Sequence, residues 1–493
     1  MPTNSPRHPN FLILDVGSSS VRAMLMDAHA RPIDGAISRR EHQFHTDTDG
    51  ASTAEAPHLR ALLEACIDDI LRHPRAKNIR AVGMATFVGN LLGIDENGTP
   101  ITPVYTYADF QPADDVTFLQ TKIDLSASHQ RTGCRLHTAY QPARLHWLKR
   151  TQPETFNRVN TWLDLATYCY AHWFGRDVPC SYSVASWSGL LNRAALSWDT
   201  IWLDELGLSA SMFPTLADFS ATQSGLSTLY AGRWQALRDV PFYLALGDGA
   251  AANIGSGAVS AGNMALTIGT TAALRIIENS VTPPIVPAGL WSYRGAQNQH
   301  LIGGATTEGG NIFHWAKNTL NLPDASIIEA HLITAEPDAH GLTFLPLLAG
   351  ERSPGWRMEA TGTLHGLRLS TSPLDIMQAA LEGVALRLAA IAHQLARDSV
   401  TVYASGGALD NSPAWTQLIS DALNHPVHLL AEGEVTARGV GLLLLNHLDG
   451  VDFHAMPPQV RAILQPRPKI AERLHHARQR QHHLYTAIGH LME

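Results

Sequence analysis

Two short phrases in this chain carry the residue types that hold phosphate. After the apolar run Phe11-Leu12-Ile13-Leu14 comes Asp15-Val16-Gly17-Ser18-Ser19-Ser20, and after Met264-Ala265-Leu266 comes Thr267-Ile268-Gly269-Thr270-Thr271. Each reads as strand, tight turn, strand. Glycine lets the backbone bend where a Cβ would clash, and the hydroxyl side chains add donors to the exposed N–H groups of the turn. The copies stand near the start of each half of a 493-residue chain, which points to duplication of a fold unit. Two such turns, facing each other across a cleft between two lobes, would grip a polyphosphate.

Two acids accompany these turns. Asp15 lies at the carboxyl end of its strand, where open α/β sheets place ligands. A carboxylate there repels phosphate unless a divalent cation intervenes, and Mg2+ is typically held by one or two carboxylates plus phosphate oxygens. The alternative is that Asp15 caps its own turn. Asp248 follows the apolar stretch Phe242 to Leu246, stands between Gly247 and Gly249, and opens a small-residue helix expected over Ala250 to Gly257. Its flanking glycines would let a ligand approach the backbone, and its carboxylate could take the proton of an attacking hydroxyl. The alternative is a helix N-cap, a common place for Asp. Gly247-x-Gly249-x-x-Ala252 also resembles a dinucleotide fingerprint, but no acidic residue follows at the expected interval. Gly406-Gly407, after another strand, offers a flat surface for a planar base. His475, His476, His482 and His483 in the amphipathic tail could ligate metal, a solvated helix face being the other reading.

The elements that must position these groups follow from periodicity. Strands are expected at Phe11 to Val16, Val21 to Asp27 and Ile79 to Thr86, with a turn at Ala28 to Arg31 and a helix over Pro57 to Arg72. Asn97-Gly98 after Leu91 to Ile94 signals a hairpin. From Asp109 to Pro241 the pattern is mostly helical, with aromatic anchors at Trp147, Trp162, Trp173, Trp187, Trp198 and Trp202. A boundary at Val240-Pro241 would divide the chain into lobes of residues 1–241 and 242–493. In the second half a long buried helix is expected over Asp375 to Gln394, a strand over Ser399 to Ala404, and a helix over Pro413 to Asn424 capped by Ser412. Met1 to Arg7 reads as disordered.

Length and composition agree with a soluble globular protein of two or three domains with small-molecule partners. A net charge of −8 and a pI near 6.3, without a basic block interleaved with aromatics, argue against nucleic acid as a partner. No apolar run reaches the ~18 residues of a membrane span, and no leader pattern precedes Phe11, so the cytoplasm is the expected compartment. Cys66, Cys134, Cys169 and Cys180 are scattered and read as reduced thiols.

Taken together, these segments resemble the FGGY carbohydrate kinases, of the actin-like, hexokinase-like ATPase superfamily. The matching segments include Asp15 to Arg22, Leu246 to Gly249, Thr267 to Thr271, Gly350-Glu351-Arg352-Ser353-Pro354-Gly355-Trp356, and Ser405-Gly406-Gly407-Ala408 with Trp415. The resemblance implies an α/β fold of two actin-like, ribonuclease H-like lobes around a central cleft. It further implies that Asp248 deprotonates the acceptor hydroxyl and that Asp15, with Asp248, positions Mg2+. ATP would be held by Gly17, Ser18, Ser19, Ser20, Arg22 and Gly269, Thr270, Thr271 at its phosphates, and by Gly310, Gly406, Gly407 and Asn411 around the nucleoside. The acceptor would lie against Gly89, Asn90, Asp109, Gly247 and Asp248. Thr132 to His137, Ala185 to Leu191, Ile302 to Ala305 with Gly309-Gly310, and Thr436 to Gly439 look most like gluconate kinases. Gluconate is therefore the leading acceptor, with xylulose or another ketose or polyol next; a homodimer is common in such enzymes. One departure bears on the substrate: Gly89 stands where many relatives carry His, and Asn90 beside it could supply hydrogen bonds instead. Tyr107-Ala108-Asp109 resembles the family's Trp-x-Asp element, with a loop-capping role as the alternative for Asp109. Two other readings are a nucleotide-driven conformational protein and a catalytically weak regulator that binds sugar.

Overall fold

The computed structural model describes residues 10–395, 400–431 and 433–489. The expectation for Met1 to Arg7 and the end of the tail lie outside the described residues. Two mixed sheets dominate, and their topologies repeat. In the first, Asn10–Val16 pairs antiparallel with Ser20–Met26, which pairs antiparallel with Pro32–Glu41. On the other side Asn10–Val16 runs parallel to Ile79–Thr86. In the second, Asn263–Ile268 pairs antiparallel with Ala272–Asn279, which pairs antiparallel with Gln299–Thr306, while Thr401–Ser405 and then Val427–Leu430 continue in parallel on the other side. A hairpin followed by parallel crossovers occurs twice, as duplication requires.

Alternation along the strands decides what faces the cleft. Leu12, Leu14 and Val16 enter the core of the first lobe, beneath the helix Ala56–Leu71, whereas Phe11 and Ile13 face a separate core between the lobes. Asp15 shares the parity of Phe11 and Ile13. In the second hairpin Met264, Leu266 and Ile268 enter the second core, which leaves Ala265 and Thr267 on the opposite side. The inter-lobe core is built largely by the helices Asp248–Gly255 and Val435–Asp449. They cross with almost no gap: a Cβ on Gly255 would lie 1.8 Å from the Val435 carbonyl oxygen, and one on Gly439 1.8 Å from that of Ala251. Only glycine permits that approach.

Several expectations need correction. The stretch Phe242 to Leu246 is broken into Phe242–Tyr243 and Leu246–Gly247, and both pieces pair with Ile79–Thr86. The first lobe's sheet therefore runs past the expected 241/242 boundary. Leu92–Ile94 pairs with Thr161–Leu163, far along the chain, and on its other side the expected local hairpin forms: Leu91 bridges Tyr105 and Ile94 bridges Pro100, with Ile101 N–H donating to the Gly93 carbonyl at 2.9 Å and Asp95 N–H to that of Thr99 at 2.9 Å. Five of the six tryptophan anchors belong to the first core, but Trp187 does not. The expected helices at 375–394 and 413–424 run Pro373–Leu395 and Pro413–Leu423, and the Ser412 hydroxyl accepts from the Trp415 N–H. His475, His476, His482 and His483 are exposed on the helix Pro468–Ala487. Among the described residues no helix is long and apolar enough to cross a membrane.

Candidate active site

Both hairpin turns open on the cleft. The first is closed by Gly17 N–H donating to the Ser20 carbonyl at 2.9 Å, with Ser18 and Ser19 exposed at its tip and Ser20 buried at the start of the next strand. Arg22 lies behind it, 3.4 Å from Asp15 and 2.6 Å from Glu434. The second is closed by Gly269 N–H donating to the Thr271 carbonyl at 3.0 Å, and Gly310 N–H donates to the Gly269 carbonyl at 2.7 Å. A Cβ on Gly310 would meet that carbonyl at 2.8 Å. Gly406, at φ +122°, lies so close to the hairpin that a Cβ would stand 2.2 Å from the Ile268 carbonyl oxygen. Gly269 itself differs from expectation: it has no left-handed φ, and a Cβ there would meet nothing within 4 Å. Gly407 is equally open, and Asn411 ends the helix Gly407–Asn411 with its side chain exposed. The fold thus gathers Gly269 to Thr271, Gly310 and Gly406 on one side of the cleft, with Gly407 next in the chain.

Asp248 is the first residue of its helix and Gly247 is the N-cap residue, so the N-cap alternative for Asp248 does not describe it. Its carboxylate accepts from Gly249 N–H at 2.7 Å. Burial pushes its pKa up to about 6, against the Gly249 hydrogen bond and the positive charge of Arg275. Asp15 is likewise pushed up to about 6, chiefly by burial; Arg22 opposes the shift and the charges of Asp248 and Glu434 add to it. A buried Asp15 whose proton affinity is raised by the charge of the half-buried Asp248 suits a hard cation that keeps waters and phosphate oxygens as its other ligands. The glycines around Asp248 serve a different purpose from the one expected. A Cβ on Gly247 would lie 2.6 Å from Trp187 Nε1, and one on Gly249 2.9 Å from Trp187 Cη2. They make room for the indole, not for ligand backbone contact, and Gly247 N–H is already directed at Ser183 Oγ, 3.2 Å away.

Beside Asp248 a cavity of about 260 Å3 runs between the lobes, lined among others by Ser18, Thr271, Gly89, Tyr107, Arg275 and Arg352. Its apolar wall is an aromatic cluster: Trp187 stacks on Tyr293 with centroids 3.6 Å apart, and Trp291 lies against both, 4.4 Å from Tyr293 and 5.5 Å from Trp187. Tyr140 and Tyr293 join hydroxyls at 2.5 Å. Gly89 borders this cavity at φ +70°. Asn90 and Asp109 are not brought to it. The Asn90 amide donates to the Phe87 carbonyl at 2.7 Å and accepts from Leu165 N–H at 2.8 Å, so it closes a turn. Asp109 is wholly buried as the counter-ion of Arg144, 3.6 Å away. Arg144 in turn donates to the carbonyls of Gly89, Thr106 and Thr138. Asp109 therefore acts on the pocket through the loop that Arg144 holds.

Sequence reasoning missed Trp187, Tyr140, Tyr293, Trp291 and Arg275 as parts of this wall. One signal was available for Arg275: it is the only charge within Ala272 to Ile277, an otherwise apolar strand. Arg352 lay in a recognised segment without a role. Its loop is tied down by Glu351, a buried carboxylate that accepts from Arg387, from the Tyr485 hydroxyl at 2.5 Å and from Gly355 N–H at 3.1 Å.

Comparison with known proteins agrees with this geometry. Residues 10–255 match the FGGY family of carbohydrate kinases, N-terminal domain, and residues 264–445 match the C-terminal domain of the same family. A gluconokinase of Bacillus subtilis (strain 168) is 25% identical over 461 residues, covering 89% of this chain and 88% of its own length. The xylulose kinase of Escherichia coli (strain K12) is 23% identical over 487 residues, covering 94% and 98%. Among solved structures, the gluconate kinase from Lactobacillus acidophilus superposes with a TM-score of 0.90 at 23% identity, covering 98% of each chain. With both domain models matched in order and the two hairpins facing one cleft, the chain belongs to the FGGY family of carbohydrate kinases.

Proposed function

We propose that this protein transfers the γ-phosphoryl group of ATP to a hydroxyl of a sugar acid, with gluconate as the first acceptor to try. The observation that carries the transfer is the place of Asp248, in a cavity that Ser18 of the first turn and Thr271 of the second also line. Gluconate is put first because the relatives named gluconokinase and gluconate kinase stand beside xylulose kinases in the comparisons. The N–H groups and hydroxyls of the turns, with Arg22, would hold the phosphates, and Gly310, Gly406 and Gly407 would border the nucleoside. Asp248 takes the proton of the acceptor hydroxyl as its oxygen bonds to the γ-phosphorus; the bond from that phosphorus to the β,γ-bridging oxygen breaks, and ADP leaves. Mg2+ would be held by Asp15 and Asp248, and when bound it supplies neutralisation of the phosphate charge. Such a reaction asks the protein for positioning and charge stabilisation rather than covalent work.

Coupled ADP release, measured with gluconate, xylulose, glycerol and no acceptor, tests the reading. Acceptor-dependent release highest with gluconate is the expected result. Preference for xylulose or glycerol would reassign the acceptor and leave the reaction class intact. ADP release indifferent to every acceptor would favour a nucleotide-driven conformational protein, and sugar binding without release a regulator.

A further inference from the structure

The cavity beside Asp248 has an unusual polar lining. Its buried side-chain atoms without a partner are the Nε atoms of Arg275 and Arg352 and the indole Nε1 atoms of Trp187 and Trp291. All four are donors. Arg275 is the sharpest case, at 7% exposure. It makes one side-chain hydrogen bond, Nη2 to Thr267 Oγ1 at 2.6 Å, and among the described residues no carboxylate lies within ion-pairing distance of it. Burial lowers its pKa to about 10, against the pull of Asp248, so the guanidinium is cationic at neutral pH. A buried cation whose nearby carboxylate, Asp248, stays beyond ion-pairing distance is costly to keep.

Its Cα stands back from the tip of the second phosphate turn, with its head bonded to Thr267 at the base of that hairpin. Arg275 pairs with Ala265 and Gly303 in the sheet, four residues beyond Thr271, which is about 13 Å of strand. Strand parity sends Leu274 and Ile276 into the second core and Arg275 to the cleft. The stem passes over Gly303, where a Cβ would lie 2.8 Å from Arg275 Cγ. The head reaches the wall formed by Gly249 and Trp187: a Cβ on Gly249 would meet Arg275 Nη1 at 3.2 Å and Trp187 Cη2 at 2.9 Å. The first phosphate turn has its own cation in Arg22.

We infer that Arg275 is the specificity-determining residue for the acceptor, receiving a carboxylate of a sugar acid in the cavity beside Asp248. This rests on the sugar-acid reading above and names the group that would enforce it. A guanidinium fork matches a carboxylate and offers a neutral polyol much less. The indole donors and Arg352 remain for the hydroxyls of the acceptor.

The test compares gluconate with glucitol, which has the same chain and a CH2OH in place of the carboxylate, in wild type, Arg275→Met, Arg275→Lys and Arg352→Met, each checked for folding by thermal unfolding. A hydrogen bond to a charged group contributes about 1.5–3 kcal/mol, so Arg275→Met should lower the ratio of kcat/KM for gluconate over glucitol by roughly 10- to 150-fold, mainly through KM. Arg275→Lys should recover part of that ratio. A wild type that accepts gluconate, with an unchanged ratio in Arg275→Met, overturns the role of Arg275 alone. Loss of the ratio in Arg352→Met but not in Arg275→Met gives the carboxylate to Arg352. A rise of the same size in the KM for ATP places Arg275 on the nucleotide. A wild type that phosphorylates only neutral acceptors overturns the sugar-acid reading, and the carboxylate role falls with it.

Discussion

At the scale of single residues, three positions make separable claims about the cleft. Asp248→Asn keeps the hydrogen bond from Gly249 N–H possible through its amide oxygen and removes the base, so turnover should fall by roughly 10^2- to 10^4-fold with ATP affinity largely kept; single-turnover kinetics beside calorimetry decide it. Gly269 is the reverse case. Because a Cβ there is unobstructed and φ is not left-handed, Gly269→Val should leave the thermal midpoint of the free protein close to wild type and weaken ATP binding more than acceptor binding. A large loss of stability would show that the turn is strained after all. Gly89 combines both effects. It borders the cavity, but at φ +70° a side chain meets the Ala139 carbonyl oxygen at 3.0 Å and Tyr107 Cβ at 3.1 Å. Gly89→His should thus cost about 1–2 kcal/mol of stability from the left-handed backbone alone, besides altering the ranking of acceptors; denaturant unfolding and the acceptor panel measure the two parts. Asn90 does not replace a histidine at that position, since its amide is spent on Phe87 and Leu165.

At the scale of elements, the crossing of helices Asp248–Gly255 and Val435–Asp449 ties the helix that begins with Asp248 to the inter-lobe core. Gly439→Ala would place its methyl 1.8 Å from the Ala251 carbonyl oxygen, with backbone on both sides and no flexible side chain to yield. Overpacking of this kind costs typically 1–3 kcal/mol. Since the helix that moves begins with Asp248, we expect Gly439→Ala to lower turnover as well as stability, read by urea unfolding and kcat together. This junction marks the limit of what was legible in the sequence. The hairpins were readable because Phe11 to Val16 and Thr267 to Thr271 carry their own turn chemistry within a few residues, and Ser412 capped its helix for the same local reason. The further partner of Leu92–Ile94, Thr161–Leu163, left no mark because it is distant in the chain, and an Asn-Gly turn announces only the local return that pairs Ile94 with Pro100 and Leu91 with Tyr105. The strand before Asp248 was assigned to the wrong half because its pairing with Ile79–Thr86 leaves no local mark. The wall of the cavity beside Asp248 stayed hidden for a related reason: Tyr140, Trp187, Arg275 and Tyr293 converge only when the lobes meet, and in sequence Trp187 has the character of the five tryptophans that became core.

At the scale of the whole molecule, hydrogen bonds join the two lobes beside the cavity next to Asp248. Ser292 N–H donates to the Gly133 carbonyl at 2.9 Å, Arg193 reaches Ser292 Oγ at 2.9 Å, and Arg294 N–H donates to Ser186 Oγ at 2.9 Å, next to the Tyr140–Tyr293 contact. The tips of the phosphate turns, by contrast, are exposed. An acceptor in the cavity would touch walls from both lobes and bias how those turns face each other, whereas a nucleotide bound to the turns alone would draw on the same motion from the other end. Two ligands that favour one closed arrangement must help each other equally, because coupling free energies of binding are reciprocal. With a non-hydrolysable ATP analogue, saturating acceptor should tighten analogue binding by about 5- to 150-fold, and saturating analogue should tighten acceptor binding by the same factor. Calorimetry in both orders measures this, and small-angle scattering should show the smallest radius of gyration with both ligands present. Independent binding, with no change in either constant, would mean that the cleft is already set for transfer and that closure contributes nothing. Full compaction by the analogue alone would instead suit a conformational protein driven by its nucleotide, in which the cavity beside Asp248 takes no part in closing the lobes.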